Sequence, residues 1–74
     1  MARIFYVKAI WDPEVEVWCS ESDIPGLIIE TATLAEFESL ARQFASELLA
    51  ENLGIHGPVP IRFEASGGFE ILAA

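Results

Sequence analysis

Hydrophobic and polar positions change period several times along the chain, and each change marks an element. From Arg3 to Trp11 the residues are β-branched and aromatic, and they read as a first strand. Phe5, Val7, Ala9 and Trp11 fall on one face, and Ile4, Tyr6, Lys8 and Ile10 on the other. A sheet with one wet face shows a cleaner alternation than this. The second apolar face is therefore expected to meet a partner. Val15 to Glu21 reads as a second strand, and Leu27 to Thr31 as a short third one. From Leu34 the period becomes helical. Leu34, Phe37, Leu40, Ala41, Phe44, Ala45, Leu48 and Leu49 are spaced by threes and fours along one stripe, with most charged positions opposite. In Ile61 to Ala65 the alternation returns, with Ile61, Phe63 and Ala65 inward and Arg62 and Glu64 outward. Phe69 to Leu72 reads as a short last strand after a turn at Ser66-Gly67-Gly68.

The punctuation between these runs has a mechanism. Asp12-Pro13-Glu14 is a turn: proline presets φ and the aspartate accepts from backbone donors. The hairpin register depends on the length of this loop, and a slip of one residue exchanges the faces. Closure between Asp12 and Val17 sets Trp11 opposite Trp18. Ser22-Asp23-Ile24-Pro25-Gly26 is a tight loop, with glycine supplying the positive φ of a type II turn. Thr33-x-x-Glu36 is a capping box, in which the Thr33 hydroxyl accepts from the N3 amide and the Glu36 carboxylate reaches back. The helix ends near Asn52, with Gly54 as a left-handed cap. The fold class is α+β in the order ββ-β-α-β. It is one mostly antiparallel sheet with one helix on one face, in a single domain over residues 1–74. The third and fourth strands run parallel to the first, and the fourth is reached by a crossover through the helix.

Composition sharpens the expectation of a partner. In a 74-residue chain, 53% of residues are hydrophobic. A chain of this size buries only roughly 60–65% of its unfolded surface, so part of this apolar material is expected to be covered by association. The net charge is −8, and Arg3, Lys8, Arg42 and Arg62 are the basic residues. Four scattered cations make no footprint for phosphate backbones or anionic membranes, so direct nucleic-acid or membrane binding is not expected. A basic protein is the electrostatically matched partner. One cysteine excludes an intramolecular disulfide. No signal-peptide pattern and no long apolar run occurs, so a cytoplasmic location is expected.

Candidate chemistry is sparse. Cys19 and His56 are the one cysteine and the one histidine, too few for a zinc site within one chain. Cys19 has no cationic neighbour in sequence to lower its pKa, so a Cys–His nucleophile is not expected. No serine elbow and no phosphate-binding glycine loop is present. No catalytic, metal or cofactor-binding residue is assigned, and no cofactor is expected. Asp12, Glu14, Glu16, Glu21 and Asp23 crowd one stretch. If several gathered at one end of the hairpin they would offer a hard cation its ligands. A small metal-dependent hydrolase using Asp12, Glu14 and Asp23 is thus the alternative reading, and a small-molecule crevice between sheet and helix is a third. The aromatic set Phe5, Tyr6, Trp11 and Trp18 suits a protein interface. The interface assignment is Ile4, Tyr6, Ile10, Trp11 and Trp18. Asp12, Pro13, Asp23, Pro25, Gly26, Thr33 and Glu36 are assigned to turns and cap.

The run Tyr6 to Glu14, then Val17-Trp18, Ser22 to Leu27, and Thr33-Leu34-x-Glu36, resembles small bacterial domains of the DUF1902 type. Those domains are similar in turn to the N-terminal domain of HicB-type antitoxins. The resemblance spans Ile4 to Leu53. It implies a truncated ribonuclease H-like fold, dimers or tetramers, and sequestration of a small basic HicA-like toxin. It does not carry ribonuclease activity, because the active carboxylates of those enzymes are not recognisable here. HicB-type proteins often add a DNA-binding segment, and these 74 residues contain no helix-turn-helix or ribbon-helix-helix pattern. Glu16 stands where relatives often carry a turn glycine, so a left-handed backbone there would be strained.

Overall fold

The computed structural model describes residues 4–74. Its elements are β1 (Phe5–Asp12), β2 (Val17–Ser22), β3 (Glu30–Thr31), α1 (Leu34–Leu53) and β4 (Ile61–Ser66). They form one four-stranded mixed sheet in the order β3-β2-β1-β4, with α1 packed on one face. β1 pairs antiparallel with β2 and parallel with β4, and β2 pairs antiparallel with β3. This is the expected α+β ββ-β-α-β fold. Arg3, the expected start of the first strand, lies outside the described residues.

The hairpin closes between Asp12 and Val17, which places Trp11 opposite Trp18. Four residues, Pro13 to Glu16, make the loop, so β2 begins at Val17 rather than at Val15. Glu16 takes the left-handed conformation, with φ 54°. Strand alternation then sorts the side chains. Phe5, Val7, Ala9 and Trp11 of β1 face the helix together with Trp18 and Ser20 of β2, Thr31 of β3 and Ile61, Phe63 and Ala65 of β4. Phe5, Val7 and Ala9 are sealed against Phe37, Ala41, Ala45 and Leu49 of α1.

The third strand is shorter than the expected Leu27–Thr31 because a side chain replaces the ladder. Ser20 Oγ donates to the Leu27 carbonyl at 3.3 Å and accepts from the Ile29 amide at 2.8 Å. The Ser20 amide donates to the Ile29 carbonyl at 3.0 Å. Leu27 and Ile29 are thereby buried while regular pairing is confined to Glu30 and Thr31. Before this segment Gly26, at φ 82°, turns the chain, and the Leu27 amide donates to the Ile24 carbonyl.

Thr33 caps the helix, its hydroxyl accepting from the Glu36 amide at 3.2 Å, while Glu36 itself stays on the exposed first turn. Gly54, at φ 63°, closes the other end by donating to Ala50 and Leu49 carbonyls. The expected last strand, Phe69–Leu72, does not form. Phe69, Ile71 and Leu72 are all exposed beyond β4, which ends at Ser66. The turn expected at Ser66-Gly67-Gly68 is likewise absent.

Candidate protein-binding surface

Three surfaces concentrate what the fold leaves uncovered. The first is the sheet face away from the helix. Alternation and register bring Tyr6, Lys8, Ile10 and Asp12 of β1 beside Val17, Cys19 and Glu21 of β2, with Glu30 at one edge and Arg62 and Glu64 at the other. Tyr6, Ile10, Val17 and Cys19 make a partly exposed apolar centre, and Ile4 just before β1 is 57% exposed. Carboxylates rim this centre. Lys8 partly neutralises one of them, its ammonium 3.6 Å from Glu21 and 5.7 Å from the Tyr6 ring. Both partners of that pair are well exposed, so it contributes little to stability. Cys19 sits inside the rim. Partial desolvation, then the charges of Glu30 and Asp12, push its thiol above the ordinary range. It therefore stays protonated at neutral pH and is a weak nucleophile.

The second surface is at the hairpin end on the helix side. Trp11 and Trp18 pack there with ring centroids 5.3 Å apart and planes inclined by 57°. A shallow concavity lies between them and Ala32, Ala65, Gly67 and Phe69. Gly67 is required at this point, because a β-carbon on it would lie 2.6 Å from Trp11 Cβ. The expected interface set therefore divides. Ile4, Tyr6 and Ile10 belong to the open face, whereas Trp11 and Trp18 look to the opposite side, since side chains of one strand alternate. Phe5, read as part of the same aromatic platform, is buried in the core.

The third surface lies where a crevice between sheet and helix was expected, although none of its residues was assigned from the sequence. α1 lies over β1 and β3 and leaves β4 exposed apart from the Phe63 ring, so a groove of about 490 Å³ runs between α1 and β4. Ala41, Ala45 and Leu49 line one wall, and Ile61 and Phe63 the other. Glu38, Arg42, Ser46 and His56 stand at its rim. Ile61 and Phe63 point inward as expected, yet they remain 37% and 39% exposed. Phe63 touches the helix layer through the Phe37 ring, at 6.1 Å. The signal available in sequence was the small pair Ala41 and Ala45 within the helical stripe.

The carboxylates read as a possible metal cluster are held apart. Asp12 accepts from the Glu14 amide at the hairpin end. Asp23 accepts from the Tyr6 amide at the opposite end of β1, and beside it Ser22 Oγ donates to the Tyr6 carbonyl and accepts from the Ile24 amide. Asp12, Glu14 and Asp23 therefore do not face one point. Among the described residues no cluster of three or more His, Cys, Asp or Glu side chains is arranged to hold a metal ion. His56 belongs to the groove and Cys19 to the open face, so the two lie on opposite sides of the sheet. Within the described residues no helix is long and apolar enough to cross a membrane.

The match to family models covers residues 4–72 and is to a domain of unknown function, DUF1902. The chain belongs to the DUF1902 family. Among solved structures it is similar to hypothetical protein TTHA1013 of the extremely thermophilic bacterium Thermus thermophilus. The two are 41% identical with a TM-score of 0.75, over 93% of this chain and all of the Thermus chain. No curated protein matches the chain. The DUF1902 match thus extends past the helix to include β4 and exposed residues after it, whereas the resemblance read from the sequence spans Ile4 to Leu53.

Proposed function

We propose that this DUF1902 domain is a non-catalytic, self-associating protein-binding module of the cytoplasm, similar in role to the toxin-holding domain of HicB-type antitoxins. Its partner on this reading is a small basic protein such as a HicA-like toxin. The observation that carries the proposal is the open sheet face. Its apolar centre of Tyr6, Ile10, Val17 and Cys19 lies inside a rim where Asp12, Glu21, Glu30 and Glu64 outnumber Lys8 and Arg62. Such a surface offers apolar area for affinity and negative potential for steering a cation-rich partner. The net charge of −8 extends that potential over the whole molecule. Assembly with itself agrees with the apolar content that a chain of 74 residues leaves outside its core.

The test is co-purification of the full chain with any small basic protein encoded beside its gene, repeated across a salt series. A complex that weakens as salt rises, and that Ile10→Glu disrupts, is the expected result. Absence of a complex at every salt concentration rejects the toxin-holding role.

A further inference from the structure

We infer that two copies of this chain pair through β4, edge to edge and antiparallel, about a two-fold axis at Phe63. This rests on the self-association proposed above and assigns it a surface and a register. β4 is an edge strand, bonded to β1 on one side and open on the other. Open edges are commonly blunted by charged side chains, proline, bulges or inward charges. No proline interrupts Ile61–Ser66, Pro58 and Pro60 precede it, Gly67-Gly68 follow it, and its two charges, Arg62 and Glu64, are of opposite sign. The available edge is thus six residues long and bounded on both sides.

The side chains select one alignment. In an antiparallel pair, residues directly opposite lie on the same face. A slip of one residue would put the two helices on opposite faces of the joined sheet and leave both grooves uncovered. Two-residue slips centred on Arg62 or on Glu64 would set like charges against each other. Centring on Phe63 places Arg62 opposite Glu64 of the second copy, and Glu64 opposite its Arg62. On the helix face it sets Ile61 opposite Ala65 of the second copy and brings the two Phe63 rings together. The same alignment lays one copy's β4 beside the other's groove, covering the half-exposed Ile61 and Phe63. The contact is self-complementary, as a two-fold interface must be. Arg62 and Glu64 also make this edge locally neutral in a chain of charge −8, so the two acidic molecules meet where their repulsion is least.

The experiment is sedimentation equilibrium of the full chain and four variants, each checked for folding by circular dichroism. The wild type is expected to dimerise at micromolar concentration. Arg62→Glu and Glu64→Arg each replace two attractive cross-strand pairs by two repulsive ones, and each is expected to weaken the dimer roughly tenfold. The two changes move net charge in opposite directions, so a long-range charge effect cannot weaken both. The double variant Arg62→Glu/Glu64→Arg restores the opposed pairs and is expected to recover wild-type affinity. A monomeric wild type overturns both the self-association and the edge pairing. A dimer that neither single variant weakens, or that the double variant does not recover, overturns the edge pairing alone. The other occupant for the groove is the exposed apolar segment after β4. Loss of the dimer in Phe69→Ser/Leu72→Ser, with Arg62→Glu still dimeric, overturns edge pairing in favour of that segment.

Discussion

At the scale of single residues, backbone demands decide more than side-chain contacts. Gly26 and Gly54 occupy left-handed positions at φ 82° and 63°, and both were legible because glycine beside a proline or after a helical stripe marks such positions. Glu16 shares the left-handed conformation at φ 54° without glycine's freedom. A non-glycine residue there costs about 1–2 kcal/mol, and glycine returns roughly half of that through the greater freedom of the unfolded chain. Glu16→Gly is therefore expected to stabilise the domain by about 0.5 kcal/mol, read as a higher urea midpoint at unchanged slope. A lower midpoint would show that the Pro13–Glu16 loop is relaxed as it stands. Nothing in the chemistry of glutamate announces a positive φ; it follows from where the hairpin closes.

At the scale of elements, periodicity located β1, α1 and β4 closely, because β1 and α1 each bury a face whose spacing repeats and β4 keeps the alternation although the whole strand stays exposed. It failed where pairing partners rather than pattern decide the outcome. Leu27 to Thr31 carries strand residues, but Ser20 holds Leu27 and Ile29 by its hydroxyl and leaves only Glu30 and Thr31 in the ladder. Ser20→Ala removes both of these hydroxyl bonds beside buried Leu27 and Ile29. It is expected to cost about 1–3 kcal/mol by chemical denaturation. A cost below about 0.5 kcal/mol would mean that the Ser20 and Ile29 backbone bond suffices. Phe69 to Leu72 also carries strand residues and forms none, since β4 already ends the sheet and no neighbour among the described residues supplies hydrogen bonds.

At the scale of the whole molecule, β1 is the hub. It is paired on both sides, and Phe5, Val7 and Ala9 are each 1% exposed or less. Its inner amides are expected to exchange most slowly with deuterium, ahead of those in β2 and β4. Faster exchange in β1 than in either neighbour would contradict this topology. Sequence by itself determined the fold class, the turns at Asp12-Pro13 and Pro25-Gly26, the Thr33 cap and the acidic, apolar-rich character. Each of these follows from local residue chemistry and period, which act over a few positions. Tertiary structure alone decided that the expected interface residues divide between two faces. It also decided that Asp12 and Asp23 stand at opposite ends of β1, and that β4 is an edge the helix does not cover. These depend on which strands become neighbours and where one helix lies across four strands, contacts between positions far apart in the chain that no local pattern encodes.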